Sequence, residues 1–248
     1  MTSEAPYEAI EYVVDGDAAT ITFNRPHLTN ALDRAMYAEV KHAVRSATTN
    51  DEVDFIVLRG NGGNFAAGGD LSQISELIES ASSLALYEFA DALPFNAIRH
   101  SSKVTIAAVS GWCCGGGLIM ASSCDIVIAE PDARFAVLEG RVGIGDPWIP
   151  ALLKDRVSSA KLSLLMLTGR TVGAREAERI GLVSELLAEG ELDLGLERLL
   201  HDLRKTTRGA RSRYKENLRR LLPVVADEGP AIEGVDQAMI DLVRRWVR

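Results

Sequence analysis

Cysteine is scarce in this chain: 248 residues hold three, Cys113, Cys114 and Cys124, crowded into twelve positions. An odd number so closely spaced excludes a disulfide framework and suits a reducing compartment, so a cytoplasmic location is expected. Histidine is nearly as rare. His27, His42, His100 and His201 are scattered and far from the cysteines, so no metal-ligand spacing emerges and no metal is expected. Basic runs are missing too. With 27 basic against 35 acidic side chains the net charge is −8, which argues against nucleic acid as a main partner. The stretch MTSEAPYEAIEY has neither a basic start nor an apolar core, so no secretory leader is expected there. Val104 to Cys124 is the longest uncharged run considered, 21 residues, enough to cross a bilayer. It also holds Gly111, Gly115, Gly116, Gly117 and three serines, and mean hydropathy over the chain is only +0.04. A buried strand, a glycine loop and a helix explain it better, and no membrane partner is expected.

What is present is ordinary for a globular domain. Apolar residues make up 47% and charged residues 25%, which excludes a disordered or collagenous chain. Ala18–Phe23, Phe55–Leu58, Val104–Val109, Ile126–Ala129 and Arg134–Val137 read as strands. Between them, Ala31–Ser46 and, more loosely, Leu71–Leu93 carry apolar residues at helical spacing. Alternation of this kind predicts an α/β domain around a buried sheet. From about Pro147 the strand signal fades. Ala174–Ile180, Leu192–Leu203, Arg211–Leu222 and Ala231–Val247 read as helices, punctuated by Pro223 and Gly229-Pro230. The expected organisation is an α/β core over residues 1–190 and a helical region over 191–248. Arginines of that tail, Arg211, Arg213, Arg219, Arg220, Arg244, Arg245 and Arg248, read as solvated helix faces, with packing of an apolar face on another subunit as the alternative.

Two glycine loops each follow a strand and open a helix. In the first, Gly60 to Leu71, Asp70 with Gln73 three residues later fits a capping box. The second is Ser110-Gly-Trp-Cys-Cys-Gly-Gly-Gly117. Glycine lets backbone approach a ligand closely, and amides at a helix start are free to point at an anionic oxygen. Neither loop spells a dinucleotide fingerprint or a P-loop, and tight turns alone would explain either one.

Together, however, FAAGGDL and AAVSGWCCGGGLIMASSCDIVIA, about 45 residues apart, resemble the crotonase (enoyl-CoA hydratase/isomerase) superfamily. FNRPHLTNAL, RFAVLEGRVGI and LTGRTVGAREAERIGLVSEL follow the same pattern, in unbroken order from about Ala18 to Leu187. The resemblance implies a crotonase (ClpP-like) spiral of ββα repeats with a C-terminal helical oligomerisation region, a homotrimer or homohexamer, and an acyl-CoA substrate. It implies no separate cofactor, coenzyme A being part of the substrate.

Residue by residue, the resemblance places Gly69 and Gly116 as the two amides that hold the thioester oxygen, and Glu139 as the acid–base residue. Ala67, Asp70, Ile119 and Trp148 fall at substrate-lining positions, and Arg25 and Lys215 at positions that contact coenzyme A. Both basic residues have a plain alternative as solvated surface charges. Hydratases of the family use two glutamates to hold a water, and the first of these positions is Ile119 here. Moving a double bond needs one base, whereas adding water needs a placed nucleophile as well as a proton. An aliphatic Ile119 with Glu139 retained, followed by GIGDPWIPALL, matches the pattern of Δ3,Δ2-enoyl-CoA isomerases. Ile119 is expected to exclude the hydrating water and to strip solvent from Glu139. The alternatives are a hydratase, with Asp146 replacing the lost partner, and a non-catalytic acyl-CoA binding protein. Asp146 reads more simply as a turn residue before Pro147. Cys113 and Cys114 have no histidine placed to activate them and read as packing. Trp112 reads as a pocket wall or core.

Overall fold

The computed structural model describes residues 7–70, 90–142, 148–154 and 156–221, with the side chains of 142, 148 and 219–221 excepted. The expected helix over Leu71–Leu93 lies almost wholly outside them, as do Gln73 of the capping box, Asp146, and the helix expected over Ala231–Val247.

Strands β1 (Ile10–Asp15), β2 (Ala18–Phe23), β3 (Phe55–Gly60), β4 (Val104–Val109), β6 (Ile126–Ala129) and β9 (Glu185–Leu186) form one sheet in that order. Only the β1–β2 pair is antiparallel. A second sheet orders β5 (Trp112–Cys114), β7 (Arg134–Ala136) and β8 (Thr171–Gly173). The apolar runs are explained by burial on both faces. Along β3, Ile56 and Leu58 enter the main core while Phe55 and Val57 enter a smaller cluster on the opposite face. In β4, Ala107 and Val109 part in the same way from Ile106 and Ala108, as the period of two requires.

Helix α1 (Arg34–Thr49) starts three residues later than its apolar pattern, because Asp33 caps it by accepting from the Met36 N–H at 2.8 Å. Its buried stripe, Met36, Tyr37, Val40, Ala43, Val44 and Ala47, closes the main core. Short α2 (Phe95–His100) precedes β4, and α3 (Gly116–Ser123) runs from the second glycine loop to β6. Every residue of α3 is buried, which is why it shows no amphipathic pattern. Helices α4 (Trp148–Leu153), α5 (Ser159–Thr168) and α6 (Ala174–Ile180) follow, then α7 (Leu192–Arg204) and α8 (Arg208–Leu221). Leu192, Leu196 and Leu200 of α7 cover the second face of the larger sheet. The expected starts of α7 and α8 shift by three residues or fewer.

Two expectations about the tail change. Arg211 is not solvated: it is 9% exposed, bonds Asp54 Oδ2 at 2.7 Å and stacks over Phe55 at 4.9 Å, whereas Arg213 is exposed. Lys215 is buried as well. Its Nζ pairs with Asp125 Oδ2 at 2.5 Å and donates to the Lys103 carbonyl at 2.5 Å, while Thr105 donates to the same Asp125 oxygen from N and Oγ1. These bonds anchor α8 beneath β4 at the end of α3 remote from Gly116. Lys215 is therefore neither a surface charge nor placed to take a phosphate of coenzyme A.

Candidate active site

Each glycine of the Gly115–Gly117 run answers to a different neighbour. Gly115 has φ +50°, and a Cβ there would overlap Glu139 Oε1. A Cβ on Gly116 would overlap the Tyr37 hydroxyl. One on Gly117 would sit 2.8 Å from both Cβ and O of Ala66. A run of three glycines is thus what lets a carboxylate, a phenol and a second backbone crowd one helix start.

The first loop lies directly against the second. Phe65 N–H donates to Ser110 O, Ala66 N–H to Trp112 O and Cys114 N–H to Ala66 O, at 2.8–2.9 Å. A Cβ on Gly115 would come 3.5 Å from Gly68 Cα, so the two loops touch at glycines. On its other side the first loop bridges Leu32: Leu32 N–H donates to Gly68 O at 2.8 Å and Asp70 N–H to Leu32 O at 2.9 Å. In such a bridge the N–H of the intervening residue points away, so Gly69 directs its amide off Leu32. Gly116 opens α3, where an N–H has no intrahelical partner and adds to the positive helix end. Among the described residues, neither the Gly69 nor the Gly116 N–H meets a hydrogen-bond acceptor.

Glu139 begins a 3₁₀ turn, Glu139–Val142, that follows β7. Pairing of β7 with β5 and β8 fixes where that turn starts. The carboxylate lies over Gly115 with Oε2 closed off from solvent. Ile119 stands one turn into α3, 3% exposed, its N–H bonded to Gly115 O.

The other predicted residues divide. Ala67 is exposed beside Gly68 and donates its N–H to Thr29 O. Asp70 pairs with Arg25 at 3.4 Å, and Arg25 also bonds Asp33 at 2.8 Å and the Ala31 carbonyl at 2.8 Å. Arg25 is therefore beside the Gly69 loop but shared between two carboxylates. Trp148 opens α4, and its side chain lies outside those described. Trp112 is 38% exposed on β5, so it is not core. Cys113 and Cys114 are buried. Burial, with the Glu139 charge adding to it, pushes the Cys114 thiol up to about 12, and Cys113 is also driven well upward. That direction keeps the Cys114 thiol protonated at neutral pH, which does not suit a resting nucleophile.

Tyr37 reaches this site without a sequence signal of its own, and Asn30, within the FNRPHLTNAL motif, is not singled out by it. Tyr37 is one more apolar position of the α1 stripe, and only the tertiary fold sets its hydroxyl over Gly116. Asn30 is fully buried behind the first loop.

Known proteins resemble this chain over most of its length. The family described as enoyl-CoA hydratase/isomerase matches residues 15–233. The chain is 32% identical over 220 residues to the 2,3-dehydroadipyl-CoA hydratase of Escherichia coli strain K12, covering 86% of this chain and 82% of that one. It is 34% identical over 197 residues to a probable enoyl-CoA hydratase of Mycobacterium tuberculosis, covering 75% and 71%. Among solved structures, a monofunctional enoyl-CoA isomerase from M. smegmatis superposes with a TM-score of 0.74 at 26% identity, over 89% of this chain and 97% of that one.

Proposed function

The chain belongs to the enoyl-CoA hydratase/isomerase family, and on that premise we propose that it shifts a double bond in an enoyl-CoA thioester by single-base proton transfer. On this reading the Gly69 and Gly116 amides hold the thioester oxygen, and Glu139 takes the proton from the carbon α to it. Charge moves onto the oxygen as the enolate forms, and fixed amides stabilise it most at that point. The same proton returns at the γ carbon, so a 3-enoyl ester becomes the conjugated 2-enoyl ester with nothing gained or lost. The observation that carries the proposal is Ile119, a buried aliphatic side chain at the position where hydratases of the family hold their first glutamate.

A hydratase is the second reading, favoured by the names of the two sequence relatives. Incubation with a 3-enoyl-CoA and a 2-enoyl-CoA in deuterated water separates the two. Conversion to the conjugated ester without hydroxyacyl product is expected. Hydroxyacyl-CoA carrying oxygen from labelled water would instead establish the hydratase and turn attention to Asp146. Binding without turnover across a wider panel of acyl-CoA esters would instead support a non-catalytic acyl-CoA binding member.

Assembly as a homotrimer or a pair of trimers belongs to the same proposal. Leu167 of α5, 86% exposed, and Tyr214 and Leu218 of α8 offer apolar surface to such a contact. Light scattering at micromolar concentration checks it, and a monomer mass would refute it.

A further inference from the structure

The FNRPHLTNAL segment contains a feature that the proposed chemistry does not use. Thr29 and Asn30, at φ +54° and +53°, are the two non-glycine residues of positive φ among those described. A β-branched threonine in that conformation is strained, and it persists only when its surroundings fix it.

The fixing group is Asn30. Its side chain donates from Nδ2 to the carbonyls of Asn61, at 2.9 Å, and Asn64, at 2.7 Å, and its Oδ1 accepts from the Arg25 N–H at 2.9 Å. An asparagine that merely closed its own turn would bond within that turn. Here both donors instead reach the first glycine loop, 31 and 34 residues away. The strained turn then grips that loop on either side of Gly69. Thr29 O accepts from Ala67 N–H at 3.1 Å, and Leu32 bonds Gly68 O and Asp70 N–H.

We infer that Asn30 is a positioning residue for the Gly69 amide: it holds the Thr29–Leu32 turn against the first glycine loop and so sets the direction of that N–H. The inference rests on the reading of Gly69 as a donor to the thioester oxygen. It does not require that the reaction be isomerisation, since any reaction through the thioester enolate uses that donor.

The test uses a 2-enoyl-CoA carrying ¹³C at the thioester carbonyl, whose stretching frequency in the bound complex reports polarisation by the amides. Three variants divide the contributions. Asn30→Gly tolerates the backbone angle but removes all side-chain bonds. Asn30→Asp keeps the bond from Arg25 N–H and loses both donors. Thr29→Gly removes the strain and keeps the carbonyl that Ala67 uses. Both Asn30 variants are expected to lose at least half of the bound carbonyl shift and about 10–100-fold in kcat, with KM within about threefold, because misplacing a donor costs the transition state most. Thr29→Gly should keep the shift and kcat within about twofold. If the Asn30 variants melt earlier but retain the wild-type shift and kcat, Asn30 is structural only and the inference fails. Absence of any carbonyl shift in the wild type would instead remove Gly69 as a donor and take the inference with it. Asn30→Asp, nearly isosteric, carries the test should Asn30→Gly fail to fold.

Discussion

Glu139 and the glycines beside it are positioned by contact, so single substitutions separate chemistry from packing. Glu139→Gln preserves the shape that lies over Gly115 and removes the proposed base. Loss of a positioned acid–base group costs about 10²–10⁴-fold, and turnover should fall by at least that while acyl-CoA affinity stays within about threefold. Residual activity within tenfold of wild type would remove Glu139 from the reaction. Gly116→Ala tests the neighbouring constraint. The new methyl collides with the Tyr37 hydroxyl, so either the phenol or the helix start must move. Activity should drop about 10²-fold, as for a displaced oxyanion donor. Gly116→Ala with Tyr37→Phe relieves the collision and should recover part of that loss, an interaction visible in a double-mutant cycle of initial rates. Equal activities for the single and double variants would mean that the hydroxyl is not what limits position 116.

Among the elements, α8 is held by charge where the other helices are held by apolar faces. Lys215, Arg208 and Arg211 pair with Asp125 and Asp54 near the starts of β6 and β3. Lys215→Met leaves Asp125 with its bonds from Thr105 but without its cation. Removing one partner of a largely buried pair is destabilising, here by about 2 kcal/mol after allowance for the partial exposure of Asp125. For a chain of this size that lowers Tm by roughly 4–8 °C. KM for an acyl-CoA should stay within twofold, since Lys215 has no free charge to offer a phosphate; a tenfold rise would restore it to the binding site. How far sequence reveals structure also differs by element. Strands β3, β4 and β6 are legible as continuous apolar runs, and β2 through the alternation of buried Ala19, Ile21 and Phe23 with half-buried Thr20 and Thr22. Ile10–Asp15 is not, since as an edge strand it leaves Val13 and Val14 facing outward and shows no clean alternation. Trp112–Cys114 reads as loop because its pairing partners, Ala66 and Arg134–Ala136, are distant in sequence. Likewise the candidates Gly69, Gly116 and Glu139 lie in ordered motifs, and Asn30 lies in one as well although its bonds to the first glycine loop are tertiary, whereas Tyr37 reaches the site only through tertiary contacts.

The molecule as a whole carries an excess of acid, yet at alkaline pH its stability is expected to be limited by thiols. Burial pushes Cys114 and Cys124 up to about 12 and drives Cys113 well upward, whereas in an unfolded chain a thiol titrates near 8.5. Between about pH 9 and 12 the unfolded chain has therefore released protons that the native one keeps. Fewer protons on the unfolded side means that stability falls as pH rises, by up to about 1.4 kcal/mol per pH unit for each thiol. Tyr7 and Tyr12, raised mainly by burial, add to the fall once the pH passes 10. Lys103, lowered mainly by burial, opposes it just below its ordinary value. At the acid end the hydrogen bond from Arg204 holds Asp17 below the usual carboxylate range, so its contribution is lost only as pH falls below about 4. Urea denaturation should accordingly give a level midpoint from pH 7 to 8 and a steep decline above 9. Cys124→Ala removes one buried thiol far from Glu139, and its decline between pH 9 and 11 should be shallower than wild type by up to about 1.4 kcal/mol per unit. Parallel slopes for the two proteins would assign the alkaline limit to other groups. A shallower slope would assign that share of the alkaline limit to the buried Cys124 thiol.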